Sequence, residues 1–469
     1  MNSDHDVKAL KSGVWYTAAN FVTKSIGFIT TPVFTRLLSH SEYGLYSNYA
    51  SWLHTFTVFA TLNLGASFIS ARFEHEKDFD GYVSSTLVLS SVSTLIWAAL
   101  INLFPAFFSS FTGLELRYLN IMAVYLLFYA AVDLFQIRER YYYEYRISVF
   151  TSLFISVSTA LLSVVLVVGL ENRFFGRILG SALPTVFAGA VLYAVLLRRG
   201  RKADISYWKY ALPICIPFIP HLLSLTLLNS MDKIMITRIC GAEDNALYSV
   251  AYSCGALITL LVTSLNTAFS PWLGEKLHEK KYGEIRKVSK VYVLLFVYGA
   301  CGVMLFTPEL LLIMGGRSYI SAVYVMPPVA FGCVCQFLYT MYVNVEQYSK
   351  KTIGMAFASV LAALSNYILN SIFIPRYGYI AAAYTTLASY MILLFIHMFL
   401  VRRIGMHEVY ETKTVFYVLV WMTGYSMLMH FLFSSRMVRY CLIILYAVMS
   451  VCLIVKHKDR LIMLAKRKG

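Results

Sequence analysis

Apolar positions along this chain do not alternate. They gather into runs of about twenty residues, separated by short polar clusters, that follow one another from residue 12 to residue 455. A hydrocarbon layer about 30 Å thick is crossed by about 20 apolar helical residues, and a helix satisfies its own backbone groups where no water can. The runs fall at 12–36, 44–71, 82–108, 114–136, 147–170, 175–197, 210–237, 246–271, 291–314, 321–347, 352–374, 378–401, 414–433 and 438–455. They predict an all-α integral membrane protein with fourteen transmembrane helices and short loops.

Polar residues inside these runs have a helical period of their own. In the first run Thr17, Asn20, Lys24, Gly27 and Thr31 recur at spacings of three and four, which places them on one face. Lys24 lies roughly halfway along that run. An ionisable side chain there is costly in lipid and marks a functional candidate facing a cavity, although a lysine can also snorkel to the interface. In the seventh run Thr226, Asn229 and Lys233 share a stripe, and Asp232 points about 100° away. Asp232 and Lys233 read equally as a cavity pair and as an interfacial pair. Tyr125, Tyr129 and Asp133 in the fourth run, and Tyr339, Tyr342 and Glu346 in the tenth, are tyrosine ladders ending in a carboxylate. Such a ladder fits sugar stacking with coupling to Na+ or H+, and equally an aromatic belt at the interface. Pro213, Pro217 and Pro220 should break the seventh helix, and Pro32 and Pro327-Pro328 should bend the first and tenth. Pro32 and the three prolines of the seventh helix are the candidate hinges.

Composition agrees with the pattern. The 469 residues are 59% hydrophobic and 14% charged, against about 25% charged in soluble domains. With the N-terminus inside, 29 of the 40 Lys and Arg residues fall in cytoplasmic segments and nine on the other side, as positive-inside loading requires. Membrane orientation thus accounts for the net charge of +16 without nucleic acid, and both termini are expected in the cytoplasm. Arg138 and Arg140 lie in one of these segments, where they could receive an anionic group at the cytoplasmic mouth or simply serve orientation. No cleavable leader is expected, and the eight cysteines suggest neither a disulfide nor a metal site. A phosphate loop for ATP, a zinc-protease helix and a nucleophile elbow are all missing from the sequence. A secondary transporter with no cofactor fits, and an enzyme does not.

Two stretches suggest how the helices are arranged. "TRLLSHSEYGLYS" at 35–47 and "TRICGAEDNALYS" at 237–249 align without a gap, each at the junction of two runs and 202 residues apart. Six helices separate them, an even number, so the copies have the same orientation. This predicts two parallel six-helix repeats, residues 1–203 and 204–403, with two appended C-terminal helices and a basic tail in 404–469. Both stretches should be outer-face turns, with Glu42 and Asp244 near the following helix starts.

"KSGVWYTAANFVTKSIGFITTPVFTRLLSHSEYGLYS", "YALPICIPFIPHLLSLTLLNSMDKIMI" and "SKKTIGMAFASVLAALSNYILNSIFIPRYGYIAAAYTTLASY" occur in order. Together they resemble the Wzx-type polysaccharide flippases of the multidrug/oligosaccharidyl-lipid/polysaccharide exporter superfamily. One departure is Ala381-Ala382, where relatives often have Gly-Ala. The resemblance implies alternating-access movement of an undecaprenyl-diphosphate-linked oligosaccharide from the cytoplasmic to the outer leaflet of a bacterial inner membrane. The lipid-linked sugar would feed surface polysaccharide made by glycosyltransferases and a polysaccharide polymerase. It also implies a cavity holding the diphosphate and sugars, to which Thr17, Asn20, Lys24, Asp232, Lys233, Arg138 and Arg140 are assigned. Asp133 and Glu346 are assigned to ion coupling. The alternatives are a peptidoglycan-precursor flippase, a cation-coupled drug antiporter of the same superfamily, and, from another class, a membrane glycan polymerase or ligase.

Overall fold

The computed structural model describes residues 3–349 and 352–456, so Lys350, Lys351 and the basic tail beyond Lys456 lie outside the described residues. The helices are α1 (Ser3–Leu37), α2 (His40–Thr61), α3 (Phe68–Glu74), α4 (Phe79–Leu103), α5 (Pro105–Thr112), α6 (Leu116–Tyr141), α7 (Tyr145–Gly169), α8 (Arg173–Gly200) and α9 (Ile205–Cys215). They continue with α10 (Ile219–Ile239), α11 (Ala242–His278), α12 (Tyr282–Leu305), α13 (Thr307–Met314), α14 (Met326–Tyr348), α15 (Thr352–Tyr377), α16 (Tyr379–Arg403), α17 (Thr412–Leu432) and α18 (Arg436–Lys456). Among the described residues, eleven segments are long and apolar enough to cross a membrane. Helices α1, α2 and α18 are helical as predicted but fall outside that set. In α1 and α2 the reason is the polar content that the sequence displays, including Lys24 and His54.

The structure moves several predicted boundaries. The second helix ends at Thr61, followed by a 3-10 turn and α3, so 44–71 is not one run. The long connection expected at 272–290 is mostly helix, because α11 continues to His278 and α12 starts at Tyr282. Pro327 and Pro328 open α14 and do not bend it, since a first-turn proline gives up no helical hydrogen bond. Pro32 leaves α1 unbroken. Hydroxyls bond nearby backbone carbonyls: Thr31 donates to that of Gly27 at 3.1 Å, and Thr35 to that of Pro32 at 3.1 Å.

The seventh helix does break. A 3-10 turn at Ile216–Phe218, containing Pro217, separates α9 from α10, and Pro220 sits in the first turn of α10. Pro213 lies inside α9. Asp204 caps α9, and hydrogen bonds from the Ser206 amide and hydroxyl hold its carboxyl below the usual carboxylate range. The two pieces pack in different cores. Ala211 and Cys215 of α9 are buried with Leu64, Phe68, Tyr82 and Phe135 of the N-terminal helices. Tyr207 donates to Asp78 at 2.6 Å, and Trp208 donates to the Ser85 carbonyl at 2.8 Å. Of α10, Leu228, Met235 and Ile236 join a core built from residues beyond 228, while Ile234 packs in a third core with Tyr49, Trp52 and Tyr118.

The two quoted turns start their second helices in different ways. Ser39 starts α2 through a capping box: its hydroxyl accepts from the Glu42 amide at 3.2 Å, and the Glu42 carboxylate accepts from the Ser39 amide at 2.8 Å. Gly241 starts α11 without a side-chain cap, using a φ of 100° that a side chain would strain.

Candidate substrate cavity

Helices α1, α10, α11, α14 and α16 enclose a cavity of 380 Å³. Lys24, Gly27, Phe28 and Thr31 present the polar stripe of α1 to it, and Tyr252, Gln336, Thr386 and Tyr390 stand on the facing walls. Lys24 lies thirteen residues before the end of α1, about 20 Å along the axis at 1.5 Å per residue. Lys233 stands beside the cavity, its ammonium 5.2 Å from the centroid of the lining ring of Tyr252. A cation over an aromatic face gains about 0.5–2 kcal/mol. No carboxylate is among the described lining residues, so the cavity is electropositive.

Asp232 and Lys233 are not paired with each other. Asp232 is buried behind the wall and accepts hydrogen bonds from Tyr248 at 2.6 Å, Thr386 at 2.6 Å and Asn370 at 2.8 Å. Asn370 also donates to Asn366 at 3.1 Å and accepts from Thr385. The successive residues diverge because the helix turns 100° per residue. The tight neutral network around Asp232 is what lets a carboxylate sit at 2% exposure.

One end of the cavity is sealed by a seam between the N-terminal helices and the helices beyond 228. Thr35 donates to the Met314 carbonyl at 2.5 Å, Arg36 to that of Ile313 at 3.1 Å, and His40 meets Ser318 at 3.0 Å. Asn245 donates to the Gly44 carbonyl at 2.8 Å, and the hydroxyls of Ser47 and Ser249 are 2.6 Å apart. Ser47 and Ser249 are the last residues of the two quoted stretches, and matching positions of the pair therefore touch. The backbones come so close that a Cβ on Gly44 would lie 1.7 Å from the Ala242 carbonyl oxygen.

Residues 9–276 match the family described as "Polysaccharide biosynthesis protein", and residues 217–372 match the one described as "MatE". The chain belongs to the polysaccharide biosynthesis protein family. This polysaccharide biosynthesis protein is 22% identical over 289 residues to protein 1 of the Lsg locus of Haemophilus influenzae, covering 59% of this chain and 68% of that one. Among solved structures it is similar to the lipid II flippase MurJ in an inward closed conformation, with a TM-score of 0.73 at 14% identity over 96% of this chain and 100% of that one. It is also similar to an inward-facing multidrug resistance MATE family transporter of the MOP superfamily, with a TM-score of 0.64 at 14% identity over 82% and 95% of the two chains. These likenesses are of fold, and with the family match they make the protein a multi-pass membrane protein.

The remaining assigned residues of the polysaccharide biosynthesis protein are not brought together with Lys24. Arg138 is buried in an ion-pair network, 2.6 Å from Asp80 and 2.5 Å from Glu139, which Arg199 also meets at 3.3 Å. These carboxylates occupy its guanidinium, which does not line the cavity. Arg140 is exposed, with its guanidinium 5.6 Å from the Tyr16 ring of α1. Thr17 and Asn20 continue the α1 stripe beyond Lys24 as exposed residues. Asp133 is partly buried at the foot of the stacked pair Tyr125 and Tyr129, whose ring centroids are 5.6 Å apart. Glu346 is buried against His397 at 2.7 Å.

His397, the partner of Glu346, is a site residue that the sequence pattern did not single out. Its signal was present: Thr386, Tyr390 and His397 are spaced four and seven apart, on one face of α16. Arg177 of α8, not singled out from the sequence, has its guanidinium near the rings of Phe34, at 3.8 Å, and Tyr46, at 4.3 Å. Nothing local to its sequence announces those partners, which come from α1 and α2.

Proposed function

We propose that this protein moves an undecaprenyl-diphosphate-linked oligosaccharide from the cytoplasmic to the outer leaflet of a bacterial inner membrane by alternating access. The observation that carries this reading is the cavity: lined by a lysine, flanked by a second, free of carboxylates among the described residues, and closed at one end by a hydrogen-bonded seam. An electropositive cavity suits a diphosphate and opposes a cationic drug. Its tyrosines and amides suit sugar rings and hydroxyls, while a polyprenyl tail remains in lipid.

Fourteen membrane crossings with both termini cytoplasmic complete the reading, the basic residues supporting the orientation. In that orientation the seam lies at the outer face. Contact between positions 202 residues apart supports two parallel repeats meeting near a pseudo-two-fold axis. The break at Ile216–Phe218 supports a hinge in the seventh helix, as α9 is docked on the first repeat and α10 packs mainly in the core of the second. A Na+ or H+ gradient drives the cycle, and of the residues assigned to ion coupling, Asp133 and Glu346, it is the buried Glu346 that is available to sense it.

Similarity to a lipid II flippase over 96% of this chain favours one competing substrate, the peptidoglycan precursor, which is also a lipid-linked diphosphate. A deletion strain separates the two. Under the main reading lipid-linked oligosaccharide accumulates on the cytoplasmic leaflet, surface glycan is lost, and peptidoglycan synthesis continues. Lys24→Arg should restore export and Lys24→Ala should reduce it at least tenfold, the equivalent of about 1.4 kcal/mol of lost diphosphate binding. Wild-type export by Lys24→Ala would remove the assigned role of that lysine, and loss of viability in place of glycan would favour the precursor.

A further inference from the structure

Glu346 and His397 lie at the opposite end of α14 and α16 from the seam, with 1% and 2% exposure. The imidazole Nδ1 is 2.7 Å from Glu346 Oε1, and the second carboxylate oxygen, Oε2, is buried without a hydrogen-bond partner. A purely structural carboxylate at this depth would have both oxygens satisfied, as Asp232 has. With no proton on the pair, a negative charge would stand alone inside a transmembrane bundle, which is expensive. With one proton, on either partner, the pair is neutral.

The pair is joined to the cavity by stacked rings. Tyr339 stacks on His397 with centroids 5.7 Å apart and on Tyr390 at 6.2 Å, and Tyr390 is a cavity wall residue that donates to Asn229 at 3.3 Å. The surrounding titratable groups come from several elements. His221 of α10 lies within electrostatic range of His397, and α14 itself contributes Tyr339 and Tyr342. Around Tyr342, Tyr410 and Glu411 lead into α17, and Arg286 and Lys290 of α12 line the same crevice. Arg402 of α16 is turned to Thr412 at 2.9 Å. None of these groups forms an ion pair with Glu346 among the described residues; its partner is His397.

We propose that Glu346 and His397 form a single-proton site whose occupancy is relayed through Tyr339 to the Tyr390 wall of the cavity. Proton binding converts a net charge of minus one on the pair to zero and forms one bond, from the proton to Glu346 Oε2 or to the imidazole. No other reactant is needed. The site itself stands on this geometry. Its use to drive export rests on the flippase reading.

The test is proton counting on the full-length protein in phospholipid vesicles without substrate, by titration between about pH 8 and about pH 5, the range in which imidazole and buried carboxyl groups exchange protons. Wild type should take up one proton per chain more than Glu346→Gln. Infrared difference spectra over the same range should contain carboxyl or imidazolium bands that Glu346→Gln lacks. His397→Gln should retain a Glu346 titration with a displaced midpoint. A merely structural ion pair holds its proton throughout the range and changes neither reading. Equal proton uptake by wild type and Glu346→Gln overturns the site. If Glu346→Gln does not fold, an unmoved midpoint in His397→Gln does so as well. Because no lipid-linked sugar is present, failure here leaves the export assay untouched, and failure of export leaves the proton count untouched.

Discussion

Gly44→Ala is the substitution for which the structure gives the sharpest expectation. The added methyl would lie 1.7 Å from the Ala242 carbonyl oxygen and 2.6 Å from its carbon. Both are backbone atoms, so no side chain can turn aside, and α2 and α11 must separate by well over an ångström. Separation removes the hydrogen bond from Asn245 to the Gly44 carbonyl and the one between Ser47 and Ser249. At about 1 kcal/mol net for each bond, the sealed arrangement loses about 2 kcal/mol, roughly a 30-fold shift in the equilibrium between sealed and open states. The assay uses Ser47→Cys with Ser249→Cys as a reporter, because hydroxyls 2.6 Å apart place two thiols within disulfide reach. Oxidative cross-linking should slow by about an order of magnitude or more when Gly44→Ala is added, with the thiols still reactive to a small soluble reagent. Cross-linking at the parent rate would show that the close approach of α2 and α11 does not control the seam, and the reasoning would fail.

Two further outcomes follow from the same geometry. The Ser47→Cys/Ser249→Cys protein should lose glycan export when oxidised and regain it on reduction, and full export by the cross-linked species would exclude opening at the seam from the cycle. Arg439→Ala should lower the melting temperature of the detergent-solubilised protein. It removes a two-pronged ion pair with Glu309, at 2.5 and 2.7 Å, that fastens α18 to α13. The cost should be about 2–3 kcal/mol, moderated because the Glu309 side chain keeps 28% exposure.

The amino-acid sequence by itself determined the class of this protein and much of its plan. Apolar runs of membrane length admit helices and little else, so the helical order was legible without tertiary contacts. The α1 stripe was legible for a similar reason: the period of a helix is fixed by its own hydrogen bonds, so residues three and four apart share a face whatever that face meets. Lys24 accordingly stands on a cavity wall. The proline cluster likewise located the break in the seventh helix, because a missing amide acts locally.

Tertiary structure decided everything that depends on which faces meet. Asp232 and Lys233 are neighbours in sequence, yet one is enclosed by Tyr248, Asn370 and Thr386, and the other rests over Tyr252. Arg138 could have served an anion, and two carboxylates, one of them 58 residues away, claimed it. His397 had no sequence partner and found Glu346 51 residues away. The likeness of the two turns was legible in the sequence, but that Ser47 would touch Ser249 across a gap only glycine permits could not be read from either stretch. Periodicity and propensity are short-range properties of one helix. Pairing, burial and closure are set by the packing of several, and for a buried charge the identity of the partner decides whether it binds a substrate, holds a proton or holds the fold.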